Sequence, residues 1–179
     1  MHTLVKTACA IHSLALATAY GAPFVFKALK KATIKEIGDE KQRGRVLATT
    51  AVNFSKVNVP THLIFAGTWL IERRAIKKLN VSQHTKRLVG LKDVTIAGAL
   101  VVEMANLAVF KQLQRDYPDG VPIRQTETTP DAKLERYRSY YRIMGPLHML
   151  MVGGSIVLGG AIAGSIIRHD RTALSKLLR

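Results

Sequence analysis

Two long stretches of this 179-residue chain carry no charged side chain, and they limit its fold more than any other feature. The first is the 20 residues from Thr7 to Phe26, and the second is the 25 residues from Ile143 to Ile167. Because an α-helix rises ~1.5 Å per residue, about 20 residues cross a hydrocarbon core of ~30 Å. Both stretches therefore predict transmembrane helices.

Two further stretches have the length of a span and carry one charge each. Residues 46–71 are free of charge except for Lys56, and residues 94–110 contain Glu103. In the second stretch only Glu103 and Asn106 interrupt the apolar surface, and their i,i+3 spacing puts them on one face, which we expect to meet a protein neighbour. The sequence thus predicts an all-α fold, an integral membrane four-helix bundle with short amphipathic connecting helices.

The four predicted spans make residues 1–179 a single membrane domain. The spans are residues 7–26, 46–71, 94–110 and 143–167, the polar connections are 27–45, 72–93 and 111–142, and the basic tail is 168–179. Gly38 is an expected helix break, and Thr129 is the expected N-cap of a helix leading into the last span, with Asp131 in its first turn. We interpret the first span as an uncleaved signal-anchor, because a basic segment follows it.

The chain is strongly basic, with 27 Lys and Arg against 12 Asp and Glu. Four spans would place 12 of the basic residues on the side of the termini and 14 on the other side, so the positive-inside rule predicts no orientation. Two basic faces favour a mitochondrial inner membrane and contact with anionic phospholipid such as cardiolipin. The residues expected to contact lipid headgroups are Lys27, Lys30, Lys31, Arg73, Arg74, Arg142 and Arg168. Nucleic-acid binding is disfavoured, because the charges flank apolar spans and form no compact patch.

Lys56 and Glu103 are the two charges predicted to lie inside spans, where an unpaired charge is costly. Counted from Ile71 and Val94 as one membrane edge, they lie roughly 22 Å and 14 Å deep at ~1.5 Å per residue. Three interpretations stay open: a buried ion pair, contact of Glu103 with another subunit while Lys56 extends toward the headgroups, or a relay for protons or ions.

Three histidines, His12, His62 and His148, fall within the predicted spans. His12 and His62 lie toward the same membrane edge, so they are candidate axial ligands of a haem. Their predicted depths differ by roughly 6 Å at ~1.5 Å per residue, which favours separate, hydrogen-bonded histidines instead.

Small residues recur at helical spacing in the last span. They are Ser155, Gly159, Gly160 and Gly164. Such a stripe allows two helices to approach closely in lipid, and the partner is either an internal helix or another subunit.

Signatures of enzymes and of cofactor sites are missing from the sequence. We therefore expect no catalytic residue, no bound metal and no cofactor. The single cysteine, Cys9, excludes an intrachain disulfide and is interpreted as a small apolar residue of the first span.

Two segments resemble the TMEM205-like family of small four-span membrane proteins (the DUF4149 domain). Residues 12–21 (HSLALATAYG) resemble the opening span of that family, and residues 140–147 (YYRIMGPL) resemble the aromatic-rich start of its glycine-rich last span. The resemblance implies four spans and no established chemistry, so no catalytic residue follows from it.

Together these features predict a non-enzymatic accessory or assembly subunit of a larger organellar complex, such as a respiratory or ATP-synthase assembly. Its partners would be anionic phospholipid and other membrane-protein subunits. The alternatives are a stand-alone small transporter or trafficking protein and, after it, a haem-binding electron carrier.

Overall fold

The computed structural model describes residues 2–122 and 131–177, apart from the side chains of residues 2, 29–31, 35 and 169–177. This part of the chain forms four long helices: α1 (His2–Glu36), α2 (Glu40–Lys77), α3 (Gln83–Asp116) and α4 (Ala132–Leu177). Consecutive helices pack against each other, and α1 also contacts α4, so the four form an up-and-down bundle. The all-α prediction is confirmed for the described residues.

The helices run well beyond the predicted spans. The prediction of separate short connecting helices was wrong in the described part of the chain, because the polar segments prolong the four long helices. Lys, Ala, Glu and Gln are good helix formers, so polarity alone does not end a helix. The helices begin where side chains cap them: Asp39 accepts from the amides of Lys41 and Gln42 at the start of α2, and Ser82 caps α3. Gly38 lies between α1 and α2, which confirms the predicted break.

Asp131 caps α4. Its Oδ1 accepts hydrogen bonds from the backbone N–H groups of Lys133 and Leu134, at 2.9 and 3.2 Å. The cap therefore lies two residues later than predicted, and the expected cap Thr129 lies outside the described residues. The second carboxylate oxygen of Asp131 accepts from the hydroxyl of Tyr117, at the end of α3. The carboxylate thus ties the start of α4 to the end of α3.

This carboxylate makes stability depend on pH. The Tyr117 hydroxyl, and then the backbone amide of Leu134, hold the pKa of the Asp131 carboxyl below its usual value. A lowered pKa stabilises the fold above the unfolded value of ~3.9, and the contribution is lost as the pH falls through the folded value. We expect Asp131→Asn, which keeps a capping oxygen, to melt below the parent at pH 7. The difference should begin to close as the pH falls below about 4 and should vanish below the lowered pKa of the folded protein. Asp119→Asn removes an exposed carboxylate and should match the parent at pH 7.

The bundle exposes large apolar side chains and buries polar ones beside an apolar core. Leu14, Val101 and Val157 are about 70% exposed, whereas the core includes Phe65 and Trp69. The polar side chains that are buried as well are, in the described residues, His12, Ser55, Asn58, His62, Thr85, Lys92, Glu103, His148 and Ser155. Helices α1, α3 and α4 are long and apolar enough to cross a membrane over Thr3–Ile34, Gln83–Asp116 and Ala132–Arg168, whereas α2 is not apolar enough by the same measure. This arrangement is consistent with a membrane protein.

Candidate functional site

A buried pair of histidines joins α2 to α4. The Nε2 atoms of His62 and His148 lie 2.8 Å apart, and both side chains are less than 5% exposed. On the far side of its ring, His62 Nδ1 lies 2.9 Å from the carbonyl oxygen of Asn58. Since a carbonyl only accepts, Nδ1 carries the hydrogen, and the neutral His62 ring directs the lone pair of Nε2 toward His148.

Glu103 of α3 completes this cluster. Its carboxylate is 2% exposed, and Oε2 lies 3.7 Å from His148 Nε2. One turn later on the same face, Asn106 accepts a hydrogen bond of 3.2 Å from the hydroxyl of Tyr140 on α4. The prediction that Glu103 and Asn106 face a protein neighbour is therefore confirmed, and α4 is that neighbour.

The cluster of His62, Glu103 and His148 has the donor atoms of a metal centre. Two imidazole nitrogens and one carboxylate oxygen lie within 4.8 Å of one another. Two ligands of one ion at about 2.1 Å are roughly 3.4 Å apart in tetrahedral geometry and at most about 4.2 Å apart. To hold an ion, the two Nε2 atoms, which lie 2.8 Å apart, would have to separate and release the proton of their hydrogen bond. The hydrogen bond from His62 Nδ1 to a carbonyl is the outer-shell contact that orients metal-bound histidines. The expectation of no metal therefore has a specific structural alternative.

An apolar cavity of about 540 Å³ adjoins the cluster. It extends between the helices from Ser55 and Glu103 to the turn that follows α3, and its outer walls include Leu47, Leu113 and Leu134. Glu103 is thus shared between the cluster and the cavity. A volume of this size is typical of sites for small molecules, ~300–1,000 Å³.

Lys56 and Glu103 are not brought together. Lys56 is exposed on the surface of α2, while Glu103 is buried against His148. The polar groups that face the carboxylate from α2 are Ser55 and Asn58, which belong to the same turn as Lys56 but to the inner face. The interpretation of an intrachain ion pair was wrong, because Lys56 points away from the bundle interior.

The structure does not favour haem ligation by His12 and His62. His12 Nδ1 lies 2.8 Å from the carbonyl oxygen of Phe65 and 3.2 Å from the hydroxyl of Thr68. His62 faces His148, and the fully buried Phe65 ring lies beside both His12 and His62. The two imidazoles therefore bind different partners and do not face a common ligand position.

A second buried charge escaped the sequence analysis. Lys92 of α3 is 2% exposed, and its Nζ lies 4.0 Å from Glu72 Oε2 and 4.0 Å above the centre of the Trp69 ring. The indole N–H donates to Asp93, which also pairs with Arg73. These residues hold α2 and α3 together near the turn that joins them.

The small residues of α4 divide between two directions. Ser155 donates to Thr95 of α3, and a Cβ added at Gly159 would lie 3.2 Å from Lys92 Nζ. A Cβ added at Gly160 or Gly164 would meet no atom within 4 Å. The first two positions therefore pack inside the bundle, and the other two leave an open surface.

The predicted lipid contacts differ in their surroundings. Lys27, Arg74 and Arg142 are exposed, whereas Arg73 is bound to Asp93 at 2.8 Å. Arg168 is exposed and its Nε lies 3.5 Å from the carbonyl oxygen of Gly164. The side chains of Lys30 and Lys31 lie outside the described part.

Comparisons with known proteins assign the chain to no family. No family model, no curated protein and no solved structure matches the chain. The resemblance to the TMEM205-like family therefore stays a prediction.

Proposed function

We propose that this protein spans a membrane four times and holds a divalent transition-metal ion at the cluster of His62, Glu103 and His148. The observation that carries the proposal is the buried meeting of two imidazoles and a carboxylate, with the His62 tautomer set by the Asn58 carbonyl. Imidazole with carboxylate suits Zn²⁺ and Fe²⁺. Titrating the purified full-length protein with Zn²⁺ should show saturable binding of one ion per chain, and no binding would contradict the proposal.

Helix α2 is the fourth span in this proposal. Three of its large apolar side chains, Val57, Leu63 and Leu70, are more than half exposed. Its polar residues Asn58 and His62 are buried on the opposite face. The low hydropathy of α2 then comes from the polar cluster it contributes, because those residues need not face lipid.

The topology is testable by cysteine labelling. In a Cys9→Ser background, we expect Gly38→Cys and Asp119→Cys to react with a membrane-impermeant thiol reagent from one side of sealed vesicles. Asn80→Cys, between α2 and α3, should react only from the other side. If α2 does not cross, Gly38→Cys and Asn80→Cys will react from the same side, and the four-span proposal is wrong.

A role as an accessory subunit is the second candidate. The open surface at Gly160 and Gly164 supports it, because small residues on a lipid-exposed face allow another helix to approach closely. The mitochondrial inner membrane is part of this candidate, on the charge balance alone. Extraction in mild detergent should give a complex that Gly164→Leu disrupts; migration of the parent as a free monomer would count against it.

A further inference from the structure

The cavity beside the cluster contains polar atoms that have no partner. Ser55 Oγ, Glu103 Oε1 and Tyr141 OH are buried and make no hydrogen bond with any described residue, and all three side chains line this cavity. A buried polar atom left unpaired costs about 1–3 kcal/mol. Two of the three atoms belong to hydroxyls that can donate, so beside this apolar space they indicate a ligand that brings acceptor oxygens.

The walls of the cavity show how such a ligand would lie. Its lining runs from Leu134 to Gly145 on α4 and from Leu47 to Ser55 on α2, roughly 16 Å and 12 Å of helix at ~1.5 Å per residue. The three unpaired atoms line the inner part of the cavity, the end nearest Glu103. Aromatic rings border this part, and the rings of Phe110 and Tyr141 are stacked with their centres 4.8 Å apart. The outer part is bounded by aliphatic side chains, which are Leu47, Leu113, Val121 and Leu134.

The charged side chains that line the cavity are Glu103 at the inner end and Lys27 and Arg138 farther out, with Arg138 paired with Glu135 at 2.9 Å. A negative head at the inner end would meet the Glu103 carboxylate, so only the two outer cations could hold an anionic head. A fatty acid held by its carboxylate at the outer end would leave the three inner atoms unpaired. A neutral head at the inner end, with its tail directed outward, satisfies both ends.

We propose that this cavity binds a neutral, ring-headed amphiphile of the quinone type. A carbonyl oxygen of the ring accepts from the Tyr141 hydroxyl, a second carbonyl oxygen accepts from the Ser55 hydroxyl, and the hydrocarbon tail lies along the outer aliphatic walls. Binding as such does not depend on the metal. The head would also lie next to the metal centre, and only that part of the inference rests on the proposed function.

The test uses the metal-free, full-length protein in nanodiscs and a decyl-substituted 1,4-benzoquinone, with binding measured by calorimetry. We expect saturable binding of one molecule per chain, with decanoate of equal tail length binding much more weakly. Tyr141→Phe should weaken quinone binding about five- to tenfold, the size of one neutral hydrogen bond. Because that hydroxyl has no hydrogen-bond partner among the described residues, its removal should not destabilise the fold.

Matched variants complete the design. Tyr20→Phe makes the same change outside the cavity and should leave the affinity unchanged, while Ser55→Ala should weaken it. Unsaturable partitioning, preference for decanoate, or equal affinity of the parent and Tyr141→Phe would overturn the proposal. His148→Ala removes a metal ligand that does not line the cavity, so retained quinone binding in that variant separates the two proposals.

Discussion

Replacing His148 by alanine is expected to lower the affinity for Zn²⁺ by at least about 100-fold. Loss of an outer-shell partner alone costs about 10–100-fold, and this change removes an inner ligand and leaves His62 and Glu103 without the third donor. The measurement is competition with a fluorescent zinc indicator on the purified protein. Affinity should also fall on acidification, because a protonated imidazole cannot bind a metal ion.

Two variants control this prediction. His84→Ala removes an exposed histidine in the first turn of α3 and should leave the affinity unchanged. Glu103→Gln keeps the size of the side chain but removes its charge, so it should weaken binding even if His148→Ala is poorly folded. Equal affinity of the parent, His148→Ala and Glu103→Gln would show that the zinc binds elsewhere.

Gly44→Ala is expected to destabilise the fold strongly for a single methyl addition. A Cβ at this position would fall on the backbone of the turn after α3, 2.6 Å from the amide nitrogen of Val121. The backbone of this turn cannot shift easily, because Gly120, which precedes Val121, already has a φ of 113° and packs on α2. Forcing atoms into a packed site costs about 1–3 kcal/mol, so the melting temperature should fall by roughly 2–12 °C.

The control is Gly67→Ala on the same helix. A Cβ added there meets no atom within 4 Å, and alanine is the better helix former by up to about 1 kcal/mol. Its melting temperature should equal or exceed that of the parent. A similar fall in both variants would mean that the turn does not pack on Gly44 as described.

The depths that the sequence predicts for the buried residues in the membrane could have identified the site. His62 and Glu103 each lie nine residues from the expected edges at Ile71 and Val94, which places both about 14 Å deep. From the opposite edge, His148 lies five residues after Ile143 and Glu103 lies seven residues before Phe110, a difference of about 3 Å. Matching depths would have grouped the three residues.

Helix rotation could not be obtained in the same way. Lys56 and Ser55 are adjacent in sequence, yet one is exposed and the other is buried beside Glu103. Which face of α2 turns inward depends on how all four helices pack, and no local pattern specifies it. The four helices themselves were predictable, because long apolar stretches and Gly38 are local signals.

Lys92 was assigned to a polar connection for a related reason. It precedes Asp93 and lies close to a run of basic residues, so composition alone suggested a solvated position. In the structure α3 starts at Gln83, and Lys92 turns inward to Glu72 and Trp69. Whether such a residue is buried depends on how far the helix continues beyond its apolar stretch. Capping residues such as Ser82 determine where the helix begins.

Metal binding by the buried cluster of two histidines and one glutamate is tested by the X-ray absorption spectrum of zinc. The protein is purified from carbonate-washed membranes and loaded with one equivalent of Zn²⁺. We predict scattering from two imidazole rings, with nitrogen at about 2.0–2.1 Å and oxygen at about 2.0–2.2 Å. A zinc spectrum without imidazole scattering would contradict the claim.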